Sequence, residues 1–299
     1  MQQYIYIVMP VFNRLAVTRE CLASLRKQAY SSFKTIIVDH GTDDTTDMIK
    51  CQFPECTVLK GDPSMWWSAA TNLGIKHVFE IMDKQKENFV LTLNNDLVVE
   101  NSYLGELVKT YNANKPCVVG SLSFNMHDDT DIDFAGLRWN ALTAKLIRMW
   151  KPGTVYTEIQ KKDNIVSDFL PGRGTLIPAE VFDKVGLFDE INFPQSSADY
   201  DFSYQARKNG FPLIISTKAV VKSSLPPAAQ KYTRNPKGGW KLFWESQTSI
   251  RSNTNYKTRW NWARKNTKIG FLYFFLDTVR VTGSFWRAYL KARFGNNKG

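Results

Sequence analysis

Cysteine and histidine are scarce in this chain of 299 residues, which holds four of the first and three of the second. Cys21, Cys51, Cys56 and Cys117 form no CxxC pair and have no histidines at ligand spacing. A disulfide scaffold, a zinc ribbon and a dithiol redox motif are therefore excluded, and reduced thiols are expected. His40, His77 and His127 fall in no Ser/His/Asp or Cys/His arrangement, so nothing points to a covalent nucleophile. Long apolar runs are missing, and the opening MQQYIYIVMPVFNR has neither a basic leader nor a cleavable apolar region. The reading is a cytoplasmic chain with no secretion signal and no integral anchor. Homopolymer tracts and Pro/Gly-rich blocks are also missing. With 43% hydrophobic and 22% charged residues, the composition is that of a folded protein rather than a disordered one.

Acidic residues are nearly absent from one end. Residues 231–299 carry 15 Lys and Arg against 2 Asp and Glu, whereas residues 1–230 carry 24 against 26. The net charge of +11 is thus a property of the tail, and the body is near neutral. The tail also holds Trp240, Trp244, Trp260, Trp262 and Trp286, and the apolar stretch IGFLYFFLDTV, which is too short and interrupted to cross a bilayer. Basic residues interleaved with aromatics describe a segment that lies on an anionic membrane surface. A helical subdomain with an ordinary solvated basic face, or a homodimer contact, is the plainer reading. No nucleic-acid motif accompanies the charge, so no nucleic-acid partner is expected.

β-Branched runs alternate with helical patterns through the first half: IYIVM (5–9), TIIVD (35–39), TVL (57–59), FVLTL (89–93) and CVVGS (117–121). Leu15, Leu22 and Leu25 share one helical face, Ala69, Leu73, Lys76 and Phe79 fall at helical spacing, and Leu104, Leu107 and Tyr111 do so again. The expected fold class is α/β, a Rossmann-like, mostly parallel sheet flanked by helices, with a basic helical C-terminal extension. Such sheets bind ligands beyond the carboxyl ends of their strands. Polar residues stand at those ends: Pro10 to Asn13, Asp39, Gly61 with Asp62, and Asn94 to Asp96. Residues 125–133 and 139–166 break the alternation and are expected to form a β-rich insertion or acceptor-side elements. A linker is expected at SSLPPAAQ (223–230), followed by an NPKGG turn (235–239).

Three segments carry chemistry. In IIVDHGTDDTTD (36–47), Asp39 either belongs to helix-start chemistry or accepts the imide N–H of uracil or thymine. In LTLNNDLVV (91–99), Asp96 either makes an Asx-type turn or takes a divalent cation together with a nucleotide diphosphate. In SADYDFSYQARKNGF (197–211), Asp199 and Asp201 either complement a helix dipole or supply a general base for a sugar hydroxyl. PGRGTLIPAEVFDKVGLFDE (171–190) reads as a glycine-rich loop, a short helix and a turn, with Arg173 facing a substrate.

In this order the segments resemble family 2 of the inverting glycosyltransferases, nucleotide-sugar enzymes with a GT-A fold. The resemblance spans residues 4–222 and rests on PVFNR, VDHGTDDTT, GDPSMWWSAATNLGI, LNND, GRGTLIPAEVFDKVGLFDE and ADYDFSYQARKNGF. The forms MWWSAATNLGI and ADYDFSYQAR are similar to those of bacterial rhamnosyltransferases that build O-antigen, capsule or other surface polysaccharides. The resemblance implies a nucleotide-sugar-binding and catalytic domain over 1–230 and a basic, aromatic C-terminal region over 231–299. It assigns Asp39 to the base of a UDP- or dTDP-sugar, Asp96 to the metal and diphosphate, and Asp199 to catalysis with Asp201 as runner-up. Pro10, Val11, Asn13, Asp62, Trp67, Asn72 and Asn95 fall on the donor side, and Arg173 on the acceptor side. Mg²⁺ or Mn²⁺ is the implied cofactor, and the acceptor is a saccharide, polyprenyl-linked and presented at the inner leaflet of the membrane. Two positions depart from the pattern. Asn94 replaces the first acid of D-x-D, and Lys222 stands where many relatives place a metal-ligating His. The rival readings are a sugar-nucleotide pyrophosphorylase, whose glycine-rich triphosphate loop PVFNRLAVT lacks, and a non-catalytic saccharide- or membrane-binding protein.

Overall fold

The computed structural model describes residues 2–151, 153–223 and 239–294. The chain opens with β1 (Gln3–Val11), α1 (Leu15–Arg26), β2 (Phe33–Asp39), α2 (Thr45–Gln52), β3 (Thr57–Lys60), α3 (Trp67–Ile81) and β4 (Glu87–Thr92). These four strands pair in parallel in the order β4-β1-β2-β3. Parallel neighbours need crossovers of a dozen or more residues, and α1, α2 and α3 supply or share in them. β1 alternates its side chains between two cores. Tyr6 and Val8 face one with Ile36, Ile75 and Val90, and Ile5, Ile7, Met9 and Val11 face the other with Leu22, Leu25 and Ile49.

Helix α3 presents to the sheet a face other than the Ala69, Leu73, Lys76 and Phe79 row. Its buried residues are Ser68, Ala70, Thr71, Asn72, Gly74, Ile75 and Val78, while Ala69, Leu73 and Phe79 are half-buried and Lys76 is exposed. Close approach decides this: a Cβ on Gly74 would lie 2.6 Å from Cγ1 of Val8. The small-residue face is the one that can reach the strands.

Beyond β4 the sheet is mixed rather than mostly parallel. β5 (Leu97–Val99), α4 (Tyr103–Asn114) and β6 (Val118–Asn125) are followed by β7 (Asp128–Phe134), which a two-residue turn forces to run antiparallel to β6. Next come the hairpin β8 (Leu137–Asn140) and β9 (Lys145–Arg148), then α5 (Tyr156–Gln160), β10 (Asn164–Val166), β11 (Thr175–Pro178), α6 (Ala179–Val185), α7 (Ala198–Lys208) and β12 (Leu213–Ser223). β11 inserts antiparallel between β4 and β6, pairing Thr175 with Thr92, so the loop before it meets the carboxyl end of β4. That junction brings the two halves of the site together. The strands at 128–134, 137–140, 145–148 and 164–166 form the expected β-rich insertion, and Asp168 moors its hairpin by accepting from Trp139 N at 2.7 Å and from Arg207 of α7.

The expected linker and turn, apart from their ends Ser223 and Gly239, lie outside the described residues. The helical C-terminal region comprises α8 (Gly239–Thr248), α9 (Tyr256–Asn266) and α10 (Gly270–Phe294). It packs directly on the body. Trp262 lies 5.6 Å from Trp139, 5.5 Å from Phe169 and 5.8 Å from Tyr204, ring to ring. A buried ion pair, Arg259 to Asp277 at 2.9 Å, joins α9 to α10, and Arg259 also donates to Gln247 of α8.

Candidate active site

The site is assembled at the carboxyl ends of the parallel strands. Asp39 ends β2 fully buried, a costly place for a carboxylate unless it is well bonded. It accepts from Gly41 N at 2.9 Å and from the Thr46 hydroxyl, with Lys60 Nζ 3.9 Å away. Thr46 lies in the first turn of α2, so helix-start chemistry and a site carboxylate coincide at one residue. Asn13 and Arg14 both take left-handed backbone conformations after β1. The side chain of Asn13 accepts from Thr42 N at 2.8 Å, tying the first strand end to the second. Pro10 and Val11 are buried, and Val11 packs in the core while its carbonyl accepts from His40 N. Their part in a pocket is thus to set the backbone. Phe12, which the sequence reading left unassigned, is exposed and lies 5.3 Å from the His40 ring.

The turn after β4 is the second component. Asn95 donates to Thr18 Oγ1 at 2.8 Å and to Asn13 O at 3.4 Å, so it braces the turn against α1 and the first loop. Asp96 directs Oδ2 to Arg14 at 3.3 Å, while its Oδ1 is buried without a hydrogen-bond partner. Asn94 Oδ1 accepts from Trp67 Nε1 at 3.1 Å. Lys222 is committed to Glu100 at 2.5 Å. Among the described residues no group of three His, Cys, Asp or Glu side chains could hold a metal by itself. A hard cation that draws most of its ligands from water and phosphate still fits here, because the orphaned Oδ1 of Asp96 leaves one carboxylate oxygen to offer.

The third component is the loop before β11 with the start of α7. Asp199 Oδ2 accepts from Gly172 N at 2.9 Å and Oδ1 from Tyr200 N at 2.9 Å. Burial raises its pKa above the ordinary carboxylate value, against the opposing pull of those N–H groups and of Arg173. A Cβ on Gly172 would lie 2.5 Å from the Trp67 indole, and 3.5 Å from Cβ of Asp199, so glycine is needed where the loop passes the tryptophan. Trp67 therefore touches both the Asn94 turn and the Gly172–Asp199 loop. Asp39, Asp96 and Asp199 belong to one contiguous rim, linked through Asn13, Arg14, Asn94 and Trp67.

Other expected residues sit elsewhere. Asp201 is buried with both oxygens engaged, by Lys265 Nζ at 2.8 Å and Asn266 Nδ2 at 3.0 Å, so it ties α7 to α9 and is not placed as a base. Residues 199 and 201 are two positions apart on a helix and point to different sides. Asn72 spends its amide on Phe188 O and Glu190 and its carbonyl on Phe188 N, stapling α3 to the turn at 186–190 rather than facing a donor. Asp62 is exposed and accepts from Ser64 N at 2.8 Å in the loop leading to Trp66 and Trp67, and the Ser64 hydroxyl, with that N–H, lowers its pKa. Arg173 lies 3.4 Å from Asp133 of the inserted β7, at the side of Asp199.

A parallel βα half carrying acids at its strand ends, joined to a mixed half that contributes a helix-borne carboxylate, is the architecture of the GT-A glycosyltransferases. The profile of Glycosyl transferase family 2 matches residues 6–186, more than half of the chain, and the chain belongs to that family. It is 25% identical over 218 residues to an uncharacterized glycosyltransferase of Rickettsia prowazekii (strain Madrid E), spanning 69% of this chain and 60% of that protein. Among solved structures it is similar to GalNAc-T7 crystallised with UDP, GalNAc and Mn²⁺, at a TM-score of 0.59 and 12% identity, over 96% of this chain and 54% of that one. The chain thus spans little more than half the length of these relatives.

Proposed function

We propose that the protein is an inverting glycosyltransferase that moves a hexosyl or deoxyhexosyl unit, in the manner of the bacterial rhamnosyltransferases, from a UDP- or dTDP-sugar to a saccharide hydroxyl. The observation that carries this reading is the contiguity of the Asp96 turn, the Trp67 indole and the Asp199 loop at one end of the sheet. Asp199 removes the proton from the acceptor hydroxyl as its oxygen attacks the anomeric carbon. The bond to the nucleoside diphosphate breaks on the opposite side, which inverts the configuration. The raised pKa suits this role, since a base closer to the operating pH transfers protons more effectively. The backbone N–H groups of Gly172 and Tyr200 fix the direction of the carboxylate. Asp39 accepts the imide N–H of the base, and Arg14, 3.3 Å from Asp96, would offer positive charge to the diphosphate.

Mg²⁺ or Mn²⁺ would be held by Asp96, with Asn94 beside it, and would supply positive charge to the leaving diphosphate. The acceptor is a polyprenyl-linked saccharide in the synthesis of a surface polysaccharide such as O-antigen or capsule, which brings the enzyme to the inner leaflet. The test is turnover of a panel of UDP- and dTDP-sugars by the full chain with Mn²⁺ or Mg²⁺, beside Asp199→Ala and Asp96→Ala. Donor consumption by the wild type that both substitutions abolish is the expected result. If every donor stays intact and none binds, the reading fails.

A further inference from the structure

We infer that the outer face of α10 is a docking surface for an anionic lipid bilayer. Phe271, Phe275 and Val279 follow one another at four-residue steps on this helix and are 73%, 56% and 57% exposed, with Leu272 and Leu276 beside them. The rotation of the helix is fixed by its other side. Asp277 is buried there, paired with Arg259 at 2.9 Å and with Arg280 at 2.6 Å, and Val281 is buried one turn further on. Rolling the apolar row inward would expose that carboxylate and break its pairs with Arg259 and Arg280, so the row stays outward. Aromatics continue the surface: Trp240 of α8 is exposed and meets Trp286 at 5.1 Å, ring to ring.

Charge selects the occupant. Glu245 and Asp277 are the two acids of residues 231–299, whereas Lys268 just before α10 and Arg287 and Lys291 on it are exposed. A second copy would meet this surface through a two-fold interface that sets like patch against like patch and cation against cation. An anionic bilayer complements both the apolar row and its basic flanks. No described helix is long and apolar enough to cross a membrane, so the contact is one that lies in the plane of the headgroups. The surface deepens the proposed function and rests on it for the acceptor that the membrane would present, though vesicle binding can be measured without turnover.

The experiment is co-sedimentation of the full chain with vesicles of phosphatidylglycerol and phosphatidylethanolamine, and with vesicles of phosphatidylcholine alone. It includes a Phe271→Ser/Phe275→Ser/Val279→Ser variant and, separately, Leu272→Ser/Leu276→Ser. Wild type is expected to partition about tenfold more strongly onto the anionic vesicles, an advantage that shrinks as salt rises. Each variant should lose about tenfold of that partition while keeping its melting temperature and its donor turnover in vesicle-free solution. The inference is overturned if wild type ignores both vesicle types or if the variants bind as it does. It is also overturned if light scattering shows a dimer that the variants dissociate while vesicles are ignored, since the occupant is then a second copy. Donors that the wild type neither consumes nor binds would sink the transferase reading and leave this surface standing.

Discussion

Asp199 ionises where burial opposes charge, and the backbone N–H groups of Gly172, Tyr200 and Asp199 itself, with the nearby Arg173, favour the ionised form. Because its pKa is raised, the carboxyl holds its proton to higher pH than an ordinary aspartate and is a poor base below that point. The kcat/KM profile should therefore rise with pH on its acid limb, with an apparent pKa above 3.8. Asp199→Asn should lower kcat by roughly 10²–10⁴-fold while leaving donor affinity, read by titration calorimetry, nearly unchanged. Asp96 gives a complementary prediction. With its partnerless oxygen removed in Asp96→Asn, nucleoside diphosphate should bind more weakly in Mn²⁺, and the difference from wild type should vanish in EDTA.

At the level of elements, α3 shows what pattern reading can and cannot see. The strands over 3–11, 33–39, 57–60 and 87–92 were legible because β-branched runs and the polar residues at their ends coincide. The face of α3 was not, since the row of Ala69, Leu73, Lys76 and Phe79 fits helical spacing as well as the buried one, which is chosen by the close approach of Ala70 and Gly74 beside Ile75 and Val78. Gly74→Ala tests this directly. Helix propensity favours alanine by up to about 1 kcal/mol, yet the added Cβ would press on Val8, and overpacking costs about 1–3 kcal/mol, so net destabilisation is expected in urea melts. The antiparallel entry of β11 also escaped the sequence. Four residues between a glycine loop and a helix carry too little period to be read as a strand, and their place is set by the edges of β4 and β6. The same limit explains Asn72 and Asp201. A motif position reveals which residue type stands there, but whether an amide or carboxylate meets a ligand or a neighbouring helix depends on partners more than 60 residues away.

Across the whole molecule, the profile match stops at residue 186, short of Asp199, and the helices beyond 239 close over the aromatic cluster around Trp262. Trp262→Ala should cost about 3 kcal/mol, at the low end for large-to-small aromatic changes because the ring is half-buried, measurable as a lowered melting temperature. Asp201→Ala should cost about 2 kcal/mol, less than a fully buried pair because Lys265 keeps about a third of its side chain in water. It would also loosen the seat of the helix that carries Asp199. On the proposed reading, two aspartates half a turn apart on α7 divide their labour, one handling a proton and the other serving as a joint. Substituting either should then lower turnover, so an assay that scored turnover alone would count a pair of reacting acids where this reading has a single one and its hinge pin.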